Sequence, residues 1–192
     1  MSKKHIITIA GNLGSGKSST AKKVASILGY THMSTGDFMR DIAEKRGISL
    51  MELSKLAETD STIDKELDDR NVEIGKKTEI VIDSRLGFYF IPESFKVFLE
   101  LDPSVASERI LKDKENNPNR HKEDNSAFDS KESIMESISN RFESERKRYQ
   151  SLYNIEDLTN KGHFDLIIDT SSTPLEEVSK KIIEEYEKWL NE

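Results

Sequence analysis

The chain contains no cysteine, which removes disulfide frameworks, thiolate metal sites and cysteine nucleophiles from consideration. It also lacks any apolar stretch long enough to cross a bilayer, and the apolar run behind the two lysines of MSKKHIITIAGN is too short for a signal-peptide core. A cytoplasmic location is the expectation. An excess of positive charge is missing too: the net charge is −7 at pH 7, and its long-range field repels polyanions, so neither a nucleic acid polymer nor an acidic membrane surface is an expected partner. No segment repeats at a fixed period, which sets solenoids aside.

What is present fits one compact unit. With 192 residues, 34% hydrophobic and 34% charged, the chain can bury one substantial core and carry smaller inserted lobes, and it is expected to act as a monomer. Short apolar runs recur at 5–10, 30–33, 79–83, 95–101 and 164–169. Five such strands separated by helical patterns predict an α/β fold with a parallel sheet. Ser49 with Glu52 reads as a capping box, and Asp102 before Pro103 as an N-cap with proline at the first helical position. Met33, Met39 and Met51 read as core filler, Trp189 as the residue that packs the last helix down, and His5, His32, His121 and His163 show no metal-site spacing.

Two connections exceed what a crossover needs. Residues 36–77 read as two or three helices forming a lobe, and 112–130 is a polar tract that reads as a lid. The expected division is a core of 1–35, 78–111 and 150–192, a lobe at 36–77 and a lid region at 112–149.

The densest chemical signal is GNLGSGKS, which matches G-x-x-x-x-G-K-[ST], follows the first apolar strand and opens a helical pattern. Glycines there let backbone N–H groups turn inward around phosphate oxygens, Lys17 neutralises β and γ charge, and the Ser18 hydroxyl can ligate Mg²⁺. The loop by itself leaves GTPases, ATPase motors and small-molecule kinases open. A guanine-reading N-K-x-D is spoiled at Asn160–His163, because His163 stands where the carboxylate must be.

In an open parallel sheet, ligands bind beyond the carboxyl ends of the strands. After the second strand comes STGDFMR, where Gly36 is expected to open a helix and Asp37 and Arg40 share one face, so Arg40 can hold a second phosphate. After the third comes DSRLG, with Asp83 suited to the water shell of Mg²⁺ opposite Ser18, and Arg85 pointing into the same cleft.

These segments, together with IDKELDDR, ERI at 108–110, ESERKRYQSLYNIEDL and FDLIIDT, resemble the P-loop nucleoside monophosphate kinases, and among them the archaeal-type cytidylate kinases. The likeness covers nearly the whole chain. It implies the P-loop NTPase fold, a five-stranded parallel sheet flanked by helices with a helical NMP-binding insertion and a polar lid. It also implies phosphoryl transfer from ATP, with Mg²⁺, to CMP or also dCMP. Carried over by position, Gly11, Asn12, Leu13, Gly14, Ser15, Gly16, Lys17, Ser18 and Ser19 bind ATP, and Ser18 and Asp83 the metal. Ser34, Gly36, Asp37, Arg40, Arg85, Glu145 and Arg148 hold the acceptor, and Lys17, Arg85, Arg141 and Arg148 are catalytic. The alternatives are another P-loop small-molecule kinase, of adenylate or dephospho-coenzyme A type, and a nucleotide-binding protein without transfer activity. Two positions depart from the family pattern: its second lid arginine falls at Asp113, leaving Lys112, Lys114 or Arg120 to stand in, and an acid is replaced by Phe142.

The stretch RFESERKRY has two faces. At about 100° per residue, Arg141, Glu145 and Arg148 fall within one arc, whereas Glu143, Arg146 and Lys147 gather opposite as a solvated ion-pair face. An inward Glu145 could accept from cytosine's exocyclic amine and so select the base.

Overall fold

The computed structural model describes residues 3–116 and 130–192. β1 (Ile6–Gly11) is buried along its whole length, as an apolar strand must be when helices cover both faces of a parallel sheet. It pairs in parallel with β3 (Ile80–Asp83) on one side and β4 (Phe95–Glu100) on the other. β2 (Thr31–Ser34) lies outside β3 and β5 (Leu166–Asp169) outside β4, so the five-stranded order is β2-β3-β1-β4-β5. All five predicted runs are strands, with ends shifted by two residues at most.

Alternation along the strands fills both faces. Ile7, Ile9, Val81, Val97 and Leu99 pack with α1 (Lys17–Leu28) and the last helix, α8 (Leu175–Asn191), which contributes Val178, Ile182 and Tyr186 at helical spacing. Trp189 stacks on Tyr186 and lies against Phe95, tying that helix down as expected. Ile6, Ile80 and Ile82 point the other way onto Ile74 and Ile91.

The connection between β2 and β3 is three helices, α2 (Thr35–Arg46), α3 (Leu50–Leu56) and α4 (Ser61–Gly75). They close around their own apolar cluster of Met39, Ile42, Leu53, Ile63 and Leu67. α2 starts one residue before Gly36, because the Ser34 hydroxyl accepts from Asp37 N–H and caps it. The Ser49–Glu52 capping box is present. It sets the phase of α3 so that Leu53 is buried while Met51 faces outward, 49% exposed, so Met51 is not core.

α5 (Gly87–Phe90) follows β3, and α6 (Pro103–Asn116) starts where Asp102 Oδ1 accepts from Ser104 N–H. α7 (Lys131–Tyr153) is a single helix of 23 residues that runs through position 149, where the sequence reading ended the lid. Residues 117–129, with Arg120 and His121, and the side chains of Asp113 and Lys114 lie outside the described residues. Among the described residues no helix is long and apolar enough to cross a membrane.

Candidate active site

β1 is the switch strand of this sheet: the chain leaves it to build β2 and β3 on one side and β4 and β5 on the other. The crevice this opens lies at the carboxyl ends of β1 and β3. The residues following those ends are the glycine-rich loop and Asp83–Arg85.

Gly11 ends β1 at φ +149°, and a Cβ there would run into the Leu99 carbonyl oxygen of β4, so the close strand approach requires glycine. The loop then passes Gly14 and Gly16, both at positive φ, and delivers the chain into α1 with its N-terminal N–H groups facing the crevice. Lys17 Nζ reaches back across the loop to donate to the Gly11 and Asn12 carbonyls at 2.8 and 2.6 Å. Burial pushes its ammonium down to about 7, with Arg85 and Arg141 adding to the push and Asp83 and Glu145 opposing it. A lysine so crowded by cations gains most from an anion at that place.

Asp83 gathers three neighbours. Its Oδ1 accepts from Ser18 at 3.2 Å and Ser34 at 2.9 Å, and its Oδ2 lies 2.8 Å from His32 Nε2. Among the described residues no cluster of three or more His, Cys, Asp or Glu could cage a metal. Mg²⁺ in phosphoryl-transfer sites takes only one or two protein oxygens, the rest being water and phosphate, and the adjacent Ser18 hydroxyl and Asp83 carboxylate fit that donor set.

On α2, Arg40 of the second turn pairs with Asp37 of the first, and Gly36 lies beside the guanidinium, where a Cβ would stand 3.6 Å from Nη2. Arg85 turns from the end of β3 towards α7 and pairs with Glu145 Oε2, while Arg141 Nε meets Oε1 at 3.1 Å. Glu145 is therefore a bridge between two arginines from different elements. Burial alone would raise its carboxyl; Arg85, Arg141 and Arg148 outweigh that and hold it below the ordinary carboxylate range. Tyr149, buried beside it, is pushed up to about 12. The outer residues Glu143, Arg146 and Lys147 are exposed, with a loose Arg146–Glu143 pair at 3.9 Å.

Arg148, the third inward member of α7, goes elsewhere: its Nε lies 3.2 Å from Asp64 Oδ2 on α4, and Nη1 donates to Ser54 O at 3.4 Å. Burial raises the Asp64 carboxyl despite Arg148. Tyr153 donates to Asp68 at 2.7 Å and Ser144 to Glu58 at 2.6 Å, so the C-terminal half of α7 is tied to the lobe. A polar cleft of about 780 Å³ runs between them. On the other side of α7, Phe142 lines an apolar cavity of about 350 Å³ with Leu13, Phe98, Leu101 and Ala106, surroundings that suit a phenylalanine at this position.

The sequence reading missed Asp64 and His32 as site neighbours. For Asp64 a signal existed: Asp64, Leu67, Asn71 and Ile74 recur at helical spacing on the buried face of α4, and an acid in such a stripe needs a buried partner.

A glycine-rich cradle at a sheet switch point, a lysine and serine at its exit, and arginines converging from β3 and α7 define a P-loop kinase of the nucleoside monophosphate type. Comparison with known proteins then gives the family. The profile of the cytidylate kinase-like family matches residues 6–172, and the chain belongs to that family. It is 33% identical over 183 residues to the cytidylate kinase of Methanosphaera stadtmanae, covering 93% of this chain and 98% of that one. It is 37% identical over 169 residues to the cytidylate kinase of Natronomonas pharaonis, covering 86% and 81%. Among solved structures, a shikimate kinase from Bacteroides thetaiotaomicron superposes with a TM-score of 0.62 at 15% identity, covering 96% of this chain and 97% of that chain, a likeness of fold.

Proposed function

We propose that this protein transfers the γ-phosphoryl group of ATP to CMP, giving ADP and CDP. The observation that carries the reading is the convergence of Lys17, Arg85 and Arg141 around Glu145 beside the glycine-rich loop. The names of the similar archaeal proteins support the choice of CMP.

In this reading the loop N–H groups and Lys17 hold the β and γ phosphates, and Arg40 and Arg85 hold the acceptor phosphate in line with them. The bond between the γ phosphorus and the β–γ bridging oxygen breaks as a bond to an acceptor phosphate oxygen forms. That oxygen is already anionic, so no general base is required, and the barrier is chiefly that of gathering like charges. Arg141 supplies positive charge where charge builds up on the transferring group. Ser18 and Asp83 would hold Mg²⁺, which when bound neutralises phosphate oxygens. The lobe 36–77 and the region 112–149 are proposed to close over the two nucleotides and exclude water.

ADP formation from ATP with CMP, UMP, AMP and GMP in turn tests the proposal. CMP should stimulate well above the others, and equal stimulation by all four, or by none, refutes it.

A further inference from the structure

Four polar side chains meet where β2 and β3 end. In the parallel register His32 stands beside Val81 and Ser34 beside Asp83, and Val81 packs with Ala21 and Val24 of α1. Residues two apart on a strand share a face, so His32, Ser34 and Asp83 lie on the face that α1 covers, where Ser18 stands in that helix's first turn. Met33, between His32 and Ser34, packs the other way against the cluster of Ile6 and Ile82. His32 is thus set into the site: its side chain is 17% exposed and that of Asp83 7%. An ionised carboxylate only accepts, so Nε2–H is the donor to Asp83 Oδ2 at 2.8 Å. Oδ1 is left to Ser18 and Ser34.

We infer that His32 is a positioning residue for the metal, holding Asp83 Oδ2 so that Oδ1 is kept towards the Ser18 hydroxyl. The inference rests on the assignment of Ser18 and Asp83 to Mg²⁺ above. The terminal torsion of an aspartate is broad, so one bonded oxygen leaves the carboxylate plane free to turn. The Ser34 hydroxyl, which also caps α2, bonds Oδ1. A donor on the second oxygen, from a ring carried by a paired strand, fixes that plane. Mg²⁺ tolerates little departure from octahedral geometry, so a carboxylate oriented before the ion arrives binds it with less rearrangement. In this role His32 acts through Asp83.

The test is the affinity for ADP, read by calorimetry with Mg²⁺ and again with EDTA; the ratio of the two dissociation constants is the gain that the metal supplies. His32→Leu keeps bulk and removes the donor, and should reduce that gain about tenfold or more while the dissociation constant in EDTA holds. His32→Gln, which can place an N–H near the position of Nε2, should restore most of it. If His32→Leu does not fold, His32→Asn takes its place, because its shorter amide stops short of Oδ2. A residue serving only to pack β2 would shift both constants alike and leave the gain unchanged, which overturns the inference, as does a loss that His32→Gln fails to restore. Asp83→Asn separates the two readings. Wild-type protein without a gain, or a gain that survives Asp83→Asn, overturns the metal assignment and this inference together. A gain lost in Asp83→Asn but intact in His32→Leu overturns the inference alone.

Discussion

Glu145→Gln preserves the size of the side chain and removes the charge that Arg85 and Arg141 share. A contact pair of unit charges is worth about 4 kcal/mol at the effective dielectric of a protein surface, and breaking a fully buried pair costs about 3–5 kcal/mol. Here the carboxylate is 9% exposed but Arg85 and Arg141 keep 20% and 36% exposure, so water recovers part of the loss. A net destabilisation of about 2–3 kcal/mol follows. For a chain of this length that is a fall in Tm of about 5–10 °C at neutral pH.

The sign of the pH dependence is fixed by the direction of the shift. The folded-state value of Glu145 lies below its ordinary 4.5, so its contribution is fully present above that pH and is lost as pH falls through the folded value. The Tm gap between wild type and variant should therefore stay constant from pH 7 to about 5 and close only in stronger acid. The variant also leaves two guanidiniums uncompensated beside the phosphate cradle, so saturating ATP should raise its Tm by more than it raises that of wild type. Thermal unfolding by circular dichroism, with and without ATP, reads both effects. A Tm within 1 °C of wild type, together with an equal response to ATP, refutes the bridging role.

Lys17→Ala should reduce turnover with CMP by orders of magnitude while leaving Tm unchanged or slightly raised, since the ammonium is disfavoured by burial and by its arginine neighbours; near-normal steady-state rates contradict the cradle assignment. Gly11→Ala should destabilise the protein by about 2 kcal/mol or more in urea unfolding, because the new Cβ meets the Leu99 carbonyl at a φ that disfavours a side chain. A stability loss below 0.5 kcal/mol would show that β1 and β4 part more readily than their packing indicates.

Much of this was legible because it is written locally. The loop motif, the caps of α3 and α6 and the five apolar runs each depend on neighbours a few positions away, and all were read correctly. So was the division of RFESERKRY, because helical phase alone turns Arg141, Glu145 and Arg148 to one side. What phase cannot say is which partner each residue finds. Arg148 lies within a turn of Glu145, yet it pairs with Asp64, 84 positions earlier in the chain. In sequence, Asp64 sits in the acid-rich STIDKELDDR and resembles its solvated neighbours; only docking of α4 against α7 buries it. The strand order escaped for the same reason, since pairing β3 and not β2 with β1 is a long-range choice with no local signature.

Lys17 and Arg85 are like charges that repel, and from Arg85 onward the signs alternate through Glu145 and Arg148 to Asp64. A cluster of lysine and arginines without acids would repel itself and resist folding, whereas a cluster fully neutralised by rigid acids would bind phosphate poorly. Glu145 meets both demands because it sits on α7, an element separate from the loop that carries Lys17 and from β3 that leads to Arg85. Glu145 and Arg148 lie on one helix, so the partners of Arg85 and of Asp64 are positioned by the same element.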